Sequence, residues 1–304
     1  MVMIKRVLAL LGSGALAILL LRQAETAAQA VRDGVQLCLT SVIPALFPFF
    51  AVSSLLVALG AAEAAGRALA RPFRRLFRCG GAGCATLLLG LVGGYPVGAR
   101  TAAELVRRGE LSPAEGAQLL TFCNNAGPAF AIGVAGVSVF GSTRTGAWLY
   151  LLHCAAALLT GLLFCRRPLP VTAMPKRPVP PRAGLTGQFL RAVEGAVSAM
   201  ARVCGFVVFF LVLLRLAEGL IGPLPPLAAG VLELTNGILR LTPDRRGFVT
   251  AAALLGWGGL SVHCQTAAVT AGSGISLRLY LPAKAVQAAL SAGLAALLAP
   301  YLPT

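Results

Sequence analysis

Nine apolar stretches, at about 7–21, 35–59, 82–99, 117–140, 146–165, 203–221, 227–241, 248–271 and 283–302, alternate with short polar segments. A helix that crosses a bilayer needs about 20 such residues, so this pattern predicts an all-α polytopic membrane protein of about 8–10 crossing or dipping segments. Several stretches are interrupted. Pro44 and Pro48 should kink the second, because each proline removes a backbone donor and crowds the preceding turn. Gly93-Gly94-Tyr95-Pro96-Val97-Gly98 cannot continue the third as a smooth helix, and Asn124-Asn125-Ala126-Gly127-Pro128 breaks the fourth in its middle. The expectation is therefore a bundle with discontinuous or re-entrant helices.

The polar segments add topology. Residues 67–78 carry Arg67, Arg71, Arg74, Arg75 and Arg78, a basic amphipathic stretch suited to an anionic inner leaflet. The loop 100–115 alternates charges around Arg107-Arg108-Gly109-Glu110, and Ser112-Pro113-Ala114-Glu115 reads as a helix start. Residues 166–191, rich in Pro, Lys and Arg, read as a linker between a first half (1–165) and a second half (192–304). Lys5-Arg6 followed by Val7–Leu21 has the form of a signal sequence, with Ala28-Gln29-Ala30 as a mimic of a cleavage site. Because further membrane segments follow, an uncleaved first helix is expected.

The halves echo one another. Residues 93–103 align with 258–268 at six identical positions of eleven, including the Gly-Gly pair and Thr-Ala-Ala, and Ala30-Val31 with Gly34 parallels Ala192-Val193 with Gly195. Internal repeats of this kind recur in transporters. The positive-inside rule places the basic loops of the first half in the cytoplasm. The same rule puts both Gly-Gly dips on one side, whereas an inverted repeat would separate them, so the orientation of the second half stays open.

Composition agrees with the pattern and excludes other classes. Of 304 residues, 57% are hydrophobic and 12% charged, and the mean hydropathy is +0.82; soluble domains carry about 25% charged residues. The net charge of +16 sits in loops between apolar runs with no basic face interleaved with aromatics, which is a topology signal and not a nucleic-acid surface. The eight cysteines show no paired spacing, and His153 and His263 lie far apart, so no metal site or disulfide framework is expected and the cysteines read as small hydrophobes. No hydrolase, phosphate-loop or dinucleotide fingerprint is present, and Glu194 and Glu218 sit near run ends; neither a cofactor nor an enzymatic activity is expected.

The chemistry is expected at the breaks. An interrupted helix bares N–H and C=O groups, each costing several kcal/mol in hydrocarbon unless protein, water or a solute satisfies it. Half-helix N-termini also attract anions. The substrate-binding residues are accordingly Gly94, Tyr95, Pro96 and Arg100 at the first break; Asn124, Asn125 and Gly127 at the second; Glu233, Thr235 and Asn236 at the third; and Gly259 and Gln265, with Ser261 and His263 nearby, at the repeat of the first. The asparagines would orient the solute, Arg100 would offer charge, and Glu233 would serve as a proton carrier.

At these same residues the chain resembles the sporulation integral membrane proteins of the YlbJ type, also called stage V sporulation protein V, within the wider group that carries the gate or nucleoside-recognition domain. The resemblance rests on Gly94-Tyr95-Pro96-Val97-Gly98, the stretch Arg107-Arg108-Gly109-Glu110-Leu111-Ser112, Asn124-Asn125-Ala126-Gly127-Pro128 and Glu233-Leu234-Thr235-Asn236-Gly237. Cys123 departs from it, standing where a small hydroxyl residue is expected. The resemblance implies transport of dipicolinate, a planar anionic solute, across the outer forespore membrane. Alternatives are a nucleoside-type carrier and a membrane scaffold for spore assembly that transports nothing. The expected partners are the anionic solute and the lipid bilayer, and self-association is left open.

Overall fold

The computed structural model describes residues 2–59, 61–79, 81–165 and 184–301. Among these residues every regular element is helical. The chain opens with α1 (Val2–Arg22) and α2 (Ala24–Leu37), which runs through a π-helical turn at Cys38–Val42 into α3 (Ile43–Ala58). The widened turn is where Pro44 would meet the carbonyl of the fortieth residue. Widening relieves that clash and keeps the helix going, so Ala24–Leu56 forms one candidate span of 33 residues.

Next come α4 (Ala61–Phe77) and α5 (Gly81–Gly93), whose described parts meet at 96°. The basic stretch is thus a helix, with Gly66, Phe73 and Phe77 buried along one face and Arg71, Arg74 and Arg75 exposed on the other. α6 (Val97–Arg107) and α7 (Pro113–Cys123) follow. The expected loop at 100–115 is therefore only a turn at 108–112. Alanine-rich sequence carries α6 on to Arg107, and Glu104 bonds Arg108 at 2.8 Å one helical turn later. The expected helix start is present as a reciprocal cap: Ser112 N–H donates to Glu115 Oε2 at 2.8 Å, and Glu115 N–H to Ser112 Oγ at 3.2 Å.

A π-helical segment, Ala129–Val139, leads to α8 (Thr143–Phe164). Of the expected linker, residues 166–183 lie outside the described residues. Its last part is helix, because α9 (Leu185–Ile221) starts soon after the final proline, Pro181, and nothing beyond hinders winding. The second half continues with α10 (Pro226–Leu232), α11 (Leu234–Leu239), α12 (Arg245–Trp257), α13 (Gly259–Thr270) and α14 (Tyr280–Leu298).

Five stretches among the described residues are long and apolar enough to cross a bilayer, or six if the bent α4–α5 pair is one span. The protein is a polytopic all-α membrane protein; besides α1, of 21 residues, its remaining apolar runs are short helices ending at breaks. Leu8, Leu10, Leu151, Leu162 and Leu220 stay exposed on its outer faces, as lipid-facing positions do. Inside, small residues let helices approach: a Cβ on Gly256 would lie 2.7 Å from Ala288 Cα, which joins α12 to α14. Stacked Phe77 and Phe122 rings, 4.9 Å apart, fill the layer between α4 and α7. All eight cysteines are free, and most are buried in these layers, although Cys264 is exposed.

Candidate functional site

The four breaks meet. Gly94 turns the chain with φ +74°, and a Cβ there would sit 2.9 Å from Gly127 N, so the α5–α6 break is seated on the break after α7. Gly258 and Gly259 turn with φ +89° and +82°, and a Cβ on Gly259 would sit 2.9 Å from Leu234 N, so the α12–α13 break is seated on the α10–α11 break. Tyr95 ties the two pairs together, its hydroxyl donating to Leu255 O at 3.0 Å. The carbonyl of Cys123 passes between Gly90 and Gly98, where any Cβ would overlap it.

A cavity of about 50 Å³ lies at this junction. Gly94, Tyr95, Gly127, Glu233, Thr235, Ser261 and Gln265 make up a small polar wall, and Val42, Phe49, Phe50, Phe130, Val203 and Val207 belong to the larger greasy remainder of a mostly apolar lining. α13 begins on the polar wall without a side-chain cap, so its first-turn N–H groups and partial positive charge are free. Ser261 Oγ is buried with no hydrogen-bond partner among the described residues. Gln265 is 4% exposed, and its carboxamide makes no hydrogen bond among them either. It also lines a second cavity, of about 20 Å³, with Pro96, Arg100 and Arg202.

The expected site residues thus fall into groups. Gly94, Tyr95, Gly127, Glu233, Thr235 and Gln265 face the main cavity, while Pro96 and Arg100 face the smaller one, Arg100 being exposed and without a carboxylate within 4.0 Å among the described residues. Gly259 shapes the break behind Leu234. Glu233 caps α11: its Oε2 accepts from Asn236 N–H at 2.7 Å and from the Asn236 carboxamide at 2.8 Å. Asn236 is therefore spent on the cap.

Asn124 and Asn125 lie behind the cavity in a buried network. Asn124 Oδ1 accepts from Ala99 N–H at 3.4 Å, and its Nδ2 donates to Thr266 Oγ1 at 2.8 Å and Tyr280 OH at 3.1 Å. Asn125 Nδ2 donates to Phe122 O at 2.7 Å, and its Oδ1 accepts from Gln287 Nε2 at 2.9 Å. Lys284 Nζ donates to Asn124 O and to Gln287 Oε1, both at 2.7 Å, and stands 5.3 Å from the centre of the Tyr95 ring. Beside it, His153 Nε2 accepts from Ala126 N–H at 3.0 Å.

Sequence reasoning missed Lys284, Gln287 and Tyr280. The signal was present: Tyr280, Lys284, Gln287 and Ser291 recur at helical spacing in an otherwise apolar run, and a lysine within such a run faces the bundle interior. Attention to carboxylates passed over Lys284, the one buried cation among the described residues.

Residues 39–143 match a known family model. The model is that of the Gate domain, described as nucleoside recognition. The matched segment holds the α5–α6 break and the break after α7, and stops short of Glu233, the second Gly-Gly pair and Lys284. Over 310 aligned positions the chain is 26% identical to the sporulation integral membrane protein YlbJ of Bacillus subtilis (strain 168), covering 85% of this chain and 74% of that protein. No solved structure matches it. The likeness to YlbJ reaches both halves, and with the apolar helices it makes this chain an integral membrane protein.

Proposed function

We propose that this protein is a sporulation membrane carrier for a small organic anion, that the anion is dipicolinate, and that it crosses the outer forespore membrane by alternating access with no covalent step. The observation that carries the reading is the cavity at the meeting point of four helix breaks, two from each half of the chain. A carrier needs a polar site at depth, and broken helices are the means of building one in lipid. The site suits a planar aromatic acid: the aromatic and aliphatic wall takes a ring, and the uncapped start of α13 with Ser261 and Gln265 supplies donors for a carboxylate. Arg100 and Arg202 at the adjoining cavity add positive charge on the far side of Gln265. The name of the relative YlbJ supports the setting in sporulation. The paired Gly-Gly breaks support reading the halves as related repeats that rock about the site.

A second reading, a nucleoside carrier, is favoured by the Gate description and by Glu233 and Thr235 on the cavity, which suit sugar hydroxyls. Purified protein in liposomes decides between them. Labelled dipicolinate should accumulate and labelled uridine should not, and Gln265→Ala should lower dipicolinate uptake at least tenfold, about 1.4 kcal/mol. Uptake of uridine alone would replace the first reading by the second, and uptake of neither would leave the scaffold.

A further inference from the structure

Lys284 is wholly buried (0% exposed) in the middle of the helix packing, and among the described residues no carboxylate lies within 4.0 Å of its ammonium. An ammonium has three hydrogens to place. Two go to Asn124 O and Gln287 Oε1, each at 2.7 Å, and the Tyr95 ring covers a further side at 5.3 Å. Asn124 is the C-cap of α7, so its oxygen belongs to a helix end rich in unsatisfied carbonyls and partial negative charge. The carboxamide of Gln287 is held in place from its other side, where Nε2 donates to Asn125 Oδ1 at 2.9 Å. Neutral oxygens at a half-helix C-terminus, a carboxamide oxygen and an aromatic face are the surroundings that hold a desolvated monovalent cation in lipid. Here the cation is covalently attached. The Tyr95 ring stands beside Lys284 and lines the cavity, so the charge acts on the α7 break and not as an open contact for the solute.

We propose that the Lys284 ammonium is a tethered counter-ion that fills a monovalent-cation site at the α7 break, so that this junction is assembled without free sodium. The second arm of the test rests on the carrier reading; the first does not. In the first arm, thermal unfolding of the purified full chain is followed in chloride salts at equal ionic strength. The wild type should have the same Tm in sodium and in choline. Lys284→Ala should unfold at lower temperature, and sodium, ammonium or methylammonium, but not the bulkier choline, should raise its Tm saturably by about 3 °C or more. Lys284→Met, which refills the space with an apolar chain, should be destabilised and not rescued. If Lys284→Ala can be isolated folded only in methylammonium, the proposal is supported. Saturable stabilisation of the wild type by sodium would overturn it, and so would failure of all three small cations to raise the Tm of, or permit isolation of, Lys284→Ala. In the second arm, dipicolinate uptake by the wild type should be equal with sodium and with choline outside; a sodium requirement would overturn the proposal. Absence of uptake in both salts tells against the carrier reading alone, and the unfolding arm then decides.

Discussion

The carbonyl of Cys123 shows how tightly single residues set this junction. Gly90 and Gly98 flank it with no room for a methyl group, whereas nothing lies within 4 Å of a Cβ built on Gly205. Gly98→Ala should therefore destabilise the protein by about 3 kcal/mol, the upper end for overpacking, and reduce the monodisperse fraction in detergent. Gly205→Ala, in the interior of α9, should be neutral or stabilising by up to about 1 kcal/mol; equal behaviour of the two would contradict the packing described. The asparagines and Gln265 separate in the same way. Asn124→Ala leaves the buried Ala99 N–H without its partner, at about 1–3 kcal/mol, and takes one bond each from Thr266 and Tyr280, which keep each other. It should lower Tm with no solute present. Gln265→Ala removes a side chain that bonds nothing among the described residues, so Tm should hold while uptake falls.

At the scale of elements, helix ends in this chain are either sealed or left open, and the difference follows local sequence. Ser112 with Glu115 seals α7, Glu233 with Asn236 seals α11, and Asp244 seals α12 by accepting from Gly247 N–H at 2.6 Å. That bond stabilises the ionised form and draws the Asp244 carboxyl below its ordinary range. Ser112→Ala should cost about 1 kcal/mol, read as a fall in Tm with uptake per folded molecule unchanged. By contrast α6 and α13 start at Gly-Gly breaks with no side-chain cap. At α6 the donors are met from elsewhere, Val97 N–H by Gly94 O at 2.8 Å and Ala99 N–H by Asn124 Oδ1 at 3.4 Å; at α13 the glycine cap offers no side-chain oxygen, and its first-turn donors lie beside the cavity. Its cap residue Gly258 is in the left-handed region at +89°, where a side chain would be strained. The α9 end is closed differently, by Arg240 reaching Glu218 across 22 residues.

For the molecule as a whole the decisive quantity is the cavity volume. About 50 Å³ admits a few water molecules, whereas pockets that hold small ligands start at about 300 Å³. On the carrier reading, seating a solute there therefore requires the walls to part. The greasy wall is drawn from α3, α9 and the two π-helical stretches, and the polar wall chiefly from the breaks. On the carrier reading, solute is exchanged one molecule at a time. Vesicles preloaded with unlabelled dipicolinate should therefore take up labelled dipicolinate faster than empty ones. A steady conductance with no such acceleration would mark a channel instead.

The membrane class, the helical content, the capping box at Ser112 and the positions of all four breaks were written in the sequence, because each depends on short-range chemistry: apolar runs of spanning length, glycines and prolines that end helices, and hydroxyls that cap them. Six of the residues expected at the solute site face one cavity, but their meeting there is the work of the fold. What tertiary structure alone decided is which break meets which, and what stands behind them. Asn124 and Asn125 are separated by about 160 positions from Lys284 and Gln287, whose bonds they share. No local rule turns those two side chains into the frame of a buried charge and leaves Gln265 free to face the cavity. Only the packing of α14 against the end of α7 does that, since a lone cation in hydrocarbon must be matched by whichever oxygens the fold brings to it.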